Sequence, residues 1–221
     1  MNLIRRRLSG VFFVGFFVGV SVMALSAIAL ITASATAVAQ EQAYRTLDAP
    51  LMTDGDGVEV REFFSYACPH CADFEPQIRA WTERMGDQIT VVHTPVTFGR
   101  NSWEVLARAY FAADALGIIQ DTHTLMFQAI HQQGRQFSDA EAVAEFYASV
   151  ADVSEQDVVD AMNSFSVTSQ INQANRLVGE YGVPGTPAVA VAGKYLIDVR
   201  AAGGQAGMLE VAESLVSRES E

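Results

Sequence analysis

The chain has 221 residues, half of them apolar, which suits one domain of ordinary size with room for an insertion. It carries 26 acidic against 14 basic residues, and Lys194 is its one lysine, a balance that argues against a nucleic-acid-binding surface, which needs clustered Lys and Arg. Two cysteines, Cys68 and Cys71, are too few for a disulfide-stapled scaffold.

The N-terminus follows the plan of a secretory signal peptide. Arg5-Arg6-Arg7 precede an uncharged apolar run from Gly10 to Ile31, and Ala37-Val38-Ala39 before Gln40 fit a small-residue cleavage site. Residues 1–39 are therefore assigned as signal, with the mature protein expected to begin at Gln40. The apolar run is also long enough to cross a bilayer as an uncleaved anchor. Without its three arginines the remainder carries 11 − 26 = −15 charges, which implies solubility.

Residues 40–57 are polar with turn signals and predict a short edge strand and a loop. Val58 to Phe64 reads as a strand, with Val58, Val60, Glu62 and Phe64 on one face and Glu59, Arg61 and Phe63 on the other. That alternation puts Glu62 on the apolar face close below the cysteines, either as a buried carboxylate with a task or as an exposed strand-end acid.

Phe63-Phe64-Ser65-Tyr66-Ala67-Cys68-Pro69-His70-Cys71 then runs from the strand into a helix. Proline at a first helical position costs nothing, because that N–H has no intrahelical partner. Pro69 thus marks the helix start and places Cys68 at or beside the N-cap, where free amides and the positive end of the helix dipole favour a thiolate. His70 adds positive charge when protonated. Cys71 lies one turn along the same face and can close a disulfide with Cys68, the geometry of a reversible dithiol. A structural disulfide across so short a loop gains little entropy. A zinc site needs about four ligands, and the other histidines, His93, His123 and His131, are scattered along the chain. Two inert buried thiols complete the bland readings.

The helix is predicted to reach Met85 with Phe74, Ile78 and Trp81 at helical spacing, with a kink at Pro76. Glu75, four residues after Cys71, shares its face. Ile89 to Val92 with Pro95-Val96 predicts another strand ending near His93, which reads as a satisfied strand-end histidine. A helical stretch follows: 101–116, 121–133, a helix opened by a Ser138-x-x-Glu141 capping box, a short one opened by Ser154-x-x-Asp157, and one from about Thr168 to Tyr181 stopped by Gly182. The glycine- and proline-rich Gly182-Val183-Pro184-Gly185-Thr186-Pro187 leads into a hairpin of Ala188–Val191 and Tyr195–Val199, and a last helix covers about 205–216.

Cys68-Pro69-His70-Cys71 after Glu62-Phe63-Phe64-Ser65, with Thr186-Pro187 before a hairpin, resembles the DsbA family of periplasmic thiol-disulfide oxidoreductases over about residues 44–218. The resemblance implies an α/β chain with a thioredoxin fold built from residues 40–98 and 167–221, and a helical domain inserted over 99–166. It implies Cys68 as the exposed nucleophile, Cys71 as the buried resolving thiol, and Pro187 as a cis-proline facing them. Thr186 would offer its backbone to an incoming peptide, and Pro69, His70, Glu62 and Glu75 would tune the redox poise. Two departures stand out: His93 takes the place of a lysine that often accompanies the two acids, and Thr186 replaces a valine. The activity implied is donation of the Cys68–Cys71 disulfide to reduced, unfolded secreted polypeptides by a periplasmic monomer without a cofactor or metal, reoxidised by a DsbB-like membrane quinone reductase. A disulfide reductase or isomerase, and a non-redox peptide-binding chaperone, are the alternatives.

Overall fold

The computed structural model describes residues 43–53 and 57–220, so the segment assigned as signal or anchor lies outside the described residues. Among the described residues, no helix is long and apolar enough to cross a membrane.

Strands β1 (Tyr44–Thr46), β2 (Val58–Phe64), β3 (Ile89–Pro95), β4 (Ala188–Val191) and β5 (Tyr195–Ile197) form one mixed sheet in the order β1-β5-β4-β2-β3. Only β2 and β3 run parallel. The parallel pair needs a crossover, which α1 (Pro69–Met85) supplies. The helices α2 (Asn101–Ala115), α3 (Ile119–His131), α4 (Ala140–Val150), α5 (Glu155–Met162) and α6 (Phe165–Tyr181) follow β3, and α7 (Gln205–Glu219) ends the chain.

The strand alternation read from the sequence sorts the core into layers. Val60 packs with Val189, Val191 and Ile197 against Phe74, Ile78 and Trp81 of α1 and Met208, Leu215 and Val216 of α7. Phe63 points to the opposite face, where Val96, Ala190 and Leu196 join Tyr181 of α6; the Phe63 and Tyr181 rings meet edge-on at 5.2 Å. Phe64, at the end of β2, enters a third cluster with Tyr66, both cysteines and the inward faces of α2 to α5. The motif therefore sits where the sheet meets the helical insert.

Several boundaries differ from the sequence reading for local reasons. Asp139, not Ser138, caps α4, accepting from the Ala142 amide at 2.9 Å while Ser138 donates to it at 2.8 Å. A carboxylate is the stronger acceptor at the positive end of a helix. Ser154 caps α5 as expected, at 3.1 Å from the Asp157 amide. α6 starts at Phe165 under a Ser164 cap, ahead of the expected Thr168. The apolar periodicity missed that first turn because Phe165 is 88 % exposed. The 166/167 boundary thus falls inside α6, which bridges both parts: Val167 and Ile171 pack on Ala107 of α2, and Tyr181 packs under the sheet. α7 runs to Glu219, past Val216, because that carboxylate is held by Lys194 and by the Tyr195 hydroxyl at 3.0 Å. α1 is continuous through Pro76.

Candidate active site

Cys68 is the N-cap of α1 and Pro69 its first helical residue. The chain reaches this corner through a tight turn in which the Cys68 amide donates to the Ser65 carbonyl at 3.0 Å and the Ser65 hydroxyl accepts from the Ala67 amide at 3.2 Å. The Cys68 carbonyl then accepts from the Cys71 and Ala72 amides at 3.0 and 3.2 Å, which closes the first helical turn over the thiols. Both thiols are free.

Across from the helix end, the Thr186–Pro187 peptide bond is cis. The Cys68 thiol donates to the Thr186 carbonyl at 3.4 Å. The two segments that resembled one family thus meet, although 118 residues separate them.

Burial separates the two sulfurs. Cys71 is fully covered and Cys68 retains 7 % exposure. The expected exposed nucleophile is thus only the less buried of the pair, since Cys68 joins the apolar cluster of Phe64 and Tyr66. Their acidities diverge much further. Cys68 is pulled down from 9.0 to about 5, first by the hydrogen bond from the Cys71 thiol, then by the Thr186 side chain and the Cys71 and His70 amides, against the opposing effect of burial. Cys71 is pushed far up by burial, then by the neighbouring Cys68 and the charge of Glu62. One site therefore holds a stabilised thiolate beside a thiol that keeps its proton.

His70 is exposed, and among the described residues its side chain makes no hydrogen bond; its carbonyl accepts from Gln205 Nε2 at 2.6 Å, tying the motif to α7. Glu62 is the buried carboxylate, not the exposed strand-end acid, at 2 % exposure. The parallel register sets Glu62 beside His93, whose Nδ1 lies 2.7 Å from Glu62 Oε2. Glu75 is also buried, accepting from the Thr124 hydroxyl at 2.7 Å and from Arg79 at 3.3 Å.

The histidines are not scattered in space. His123 Nδ1 accepts from the Tyr66 hydroxyl at 2.8 Å, its ring centre is 5.1 Å from that of His93, and His131 Nε2 donates to the Tyr66 carbonyl at 2.7 Å. Burial, then His93, holds His123 down at about 3, so it stays neutral and can accept. Tyr66 is held well above 10 by burial and keeps its proton to give. This support under the motif escaped the sequence reading. The signal was present: His123, Phe127 and His131 recur every four residues and so line one face of α3.

Residues 59–213 match the family model of the DSBA-like thioredoxin domain. The thiol:disulfide interchange protein DsbA of Azotobacter vinelandii is 35% identical over 162 residues, 73% of this chain and 75% of that protein. The Pseudomonas aeruginosa protein of the same name is 33% identical over 177 residues, covering 80% and 83%. The crystal structure of Pseudomonas aeruginosa DsbA superposes with a TM-score of 0.74 over 80% of this chain and 92% of that one, at 32% identity. The oxidoreductase DsbA from Xylella fastidiosa superposes equally well, with a TM-score of 0.74, 32% identity and 80% and 95% coverage. With a thiolate-forming Cys-Pro-His-Cys helix end set against a cis-proline loop on a thioredoxin-like sheet, the chain belongs to the DSBA-like thioredoxin domain family.

Proposed function

We propose that this thiol:disulfide oxidoreductase donates its Cys68–Cys71 disulfide to reduced secreted polypeptides. A substrate thiolate attacks Cys68 Sγ, the intramolecular S–S bond breaks, and Cys71 leaves and takes up a proton, as its raised pKa favours. A second substrate thiolate attacks the substrate sulfur of the mixed disulfide and releases Cys68 as a thiolate. The substrate loses two electrons and the protein gains them. Thr186 and Pro187 border the path to Cys68, and the backbone of Thr186 offers an incoming chain strand-like pairing.

The observation that carries this direction is the depressed Cys68 pKa, because whatever stabilises the thiolate stabilises the reduced protein. At pH 7 the two pH units down to about 5 correspond to at most about 60 mV toward the oxidising side relative to an unperturbed thiol, reduced by whatever solvent screens the site. Equilibration of the pair against glutathione tests it. A ratio no more oxidising than that of an ordinary dithiol overturns the oxidase reading in favour of a reductase.

Two substitutions rank the sources of this poise. Thr186→Val removes a side-chain hydrogen bond to the thiolate, and bonds to charged groups contribute about 1.5–3 kcal/mol, so Cys68 is expected to rise by one to two pH units. His70→Ala removes only an exposed imidazole, whose effect on the thiolate is screened by solvent, and is expected to raise it by less than one, or less than about 30 mV. Thiolate absorbance and glutathione equilibration on both variants check the order. A larger shift in His70→Ala than in Thr186→Val means that the imidazole, not the loop, sets the poise.

Family resemblance supports a periplasmic site of action and reoxidation by a DsbB-like quinone reductase of the membrane. The acidic remainder and the A-x-A pattern before Gln40 support export as a cleaved monomer. Mass spectrometry of the exported protein is expected to show Gln40 at its N-terminus; residues 1–39 retained in a membrane fraction would mean an anchor.

A further inference from the structure

A groove of about 550 Å³ begins at Thr186 and Pro187 and extends along the segment that follows β5. Its floor is apolar, formed in part by the buried Ala188, Leu196 and Ile197. The groove and Cys68 adjoin at Thr186, whose carbonyl lies 3.4 Å from Cys68 Sγ, so residues flanking a cysteine at Cys68 are within reach of the groove.

The charged residues lining it are Arg45, Asp198 and Arg200. Asp198 is partly engaged, since its Oδ1 accepts from the Arg200 and Ala201 amides at 2.8 and 3.0 Å. Arg45 caps α6 by donating to the Tyr181 carbonyl while its guanidinium remains on the groove wall. The Arg200 side chain is exposed and has no hydrogen bond or ion pair with any described residue. Two guanidinium groups therefore face one partly engaged carboxylate, in a protein whose residues 40–221 carry −15 charges. Screening confines the general negative field to about 8 Å at physiological salt, so the nearest charges decide what sits in the groove.

We propose that the groove selects substrate segments carrying an acidic residue a few positions from the reacting cysteine, with Arg200 as the discriminating contact and Arg45 as its fixed neighbour. This rests on the thiol exchange proposed above. Each exposed ion pair is worth about a two- to fivefold change in rate constant, and guanidinium adds a bidentate fit to carboxylate that an ammonium lacks.

The test uses three peptides with a single cysteine, identical except for Asp, Asn or Lys at the positions two and three residues from it. The rate constant for opening the protein's disulfide is measured for each and divided by the same peptide's uncatalysed rate with the uncharged bis(2-hydroxyethyl) disulfide, which removes the effect of the charge on the thiol itself. The Asp peptide is expected to react at least about fivefold faster than the Lys peptide. The ratio should shrink toward one in high salt and fall below one in Arg200→Glu. A ratio that Arg200→Glu leaves unchanged, or that salt does not move, overturns the proposal. The two readings fail differently: reaction with all three peptides at equal normalised rates sinks only the charge selection, whereas no acceleration of any peptide sinks the exchange reaction itself.

Discussion

Cys68→Ser is expected to reduce disulfide donation to the rate of uncatalysed thiol exchange, whereas Cys71→Ser is expected to accumulate stable mixed disulfides with substrate. The difference follows from placement. Cys68 caps α1 beside the Thr186 carbonyl and is the less buried sulfur, and its thiolate is favoured by the Cys71 thiol, the Thr186 side chain and the helix-end amides. Cys71 is fully covered and holds its proton, so it is a poor target and a poor attacking group for an external partner, though it is well placed to resolve an adduct on Cys68. Serine is close in size to cysteine, so both variants should fold, which the far-ultraviolet circular dichroism will report. Non-reducing electrophoresis after exposure to reduced polypeptides reads the adducts directly. Adducts recovered from Cys68→Ser, with Cys71 intact, and none from the reverse variant would reverse the assignment.

Titration of the reduced protein is expected to show a thiolate appearing with a midpoint of about 5 and no second thiolate up to strongly alkaline pH. The same shift predicts a pH-dependent stability. Cys68 is depressed in the folded state relative to 9.0 in the unfolded chain, so its contribution is fully present above about pH 9 and absent below about pH 5. Between them, the unfolding free energy of the reduced form should rise with pH by at most about 1.4 kcal/mol per unit, less where solvent screens the thiolate. Denaturant unfolding of reduced wild type against Cys68→Ser isolates the contribution, because other titrating groups are common to both. Parallel stability curves for the two proteins between pH 5 and 9 would mean that the thiolate is not stabilised by the fold. The oxidised protein has no thiol at Cys68 and should follow the Cys68→Ser curve in slope.

Local physics alone was enough for much of the fold. The two-residue period of Val58–Phe64, the proline-started helix and the hairpin after Pro187 carry their own signals, and each stands where it was expected. Helix ends were less legible, because a cap is chosen by competition among neighbouring side chains: Asp139 outcompetes Ser138. An end can also be set by a distant partner, as Lys194 and Tyr195 hold the last turn of α7 through Glu219.

The dithiol itself was legible because everything that defines it lies within four residues, and the amides that favour the thiolate belong to the same helix end. The alternation of β2 could place Glu62 on the apolar face, but not say whether it was buried. That was decided by the register of β2 against β3, which sets His93 beside it. The support of Tyr66 by His123 and His131 and the approach of Thr186 to Cys68 depend on chain segments 57, 65 and 118 residues apart. Short-range periodicity and propensity report only what a residue's immediate neighbours impose. Contacts made by packing α3 and the cis-proline loop onto the end of the sheet exist only once the chain has closed; the burial that raises Cys71 and the Thr186 bond that helps lower Cys68 add to the helix-end difference that the sequence already implies.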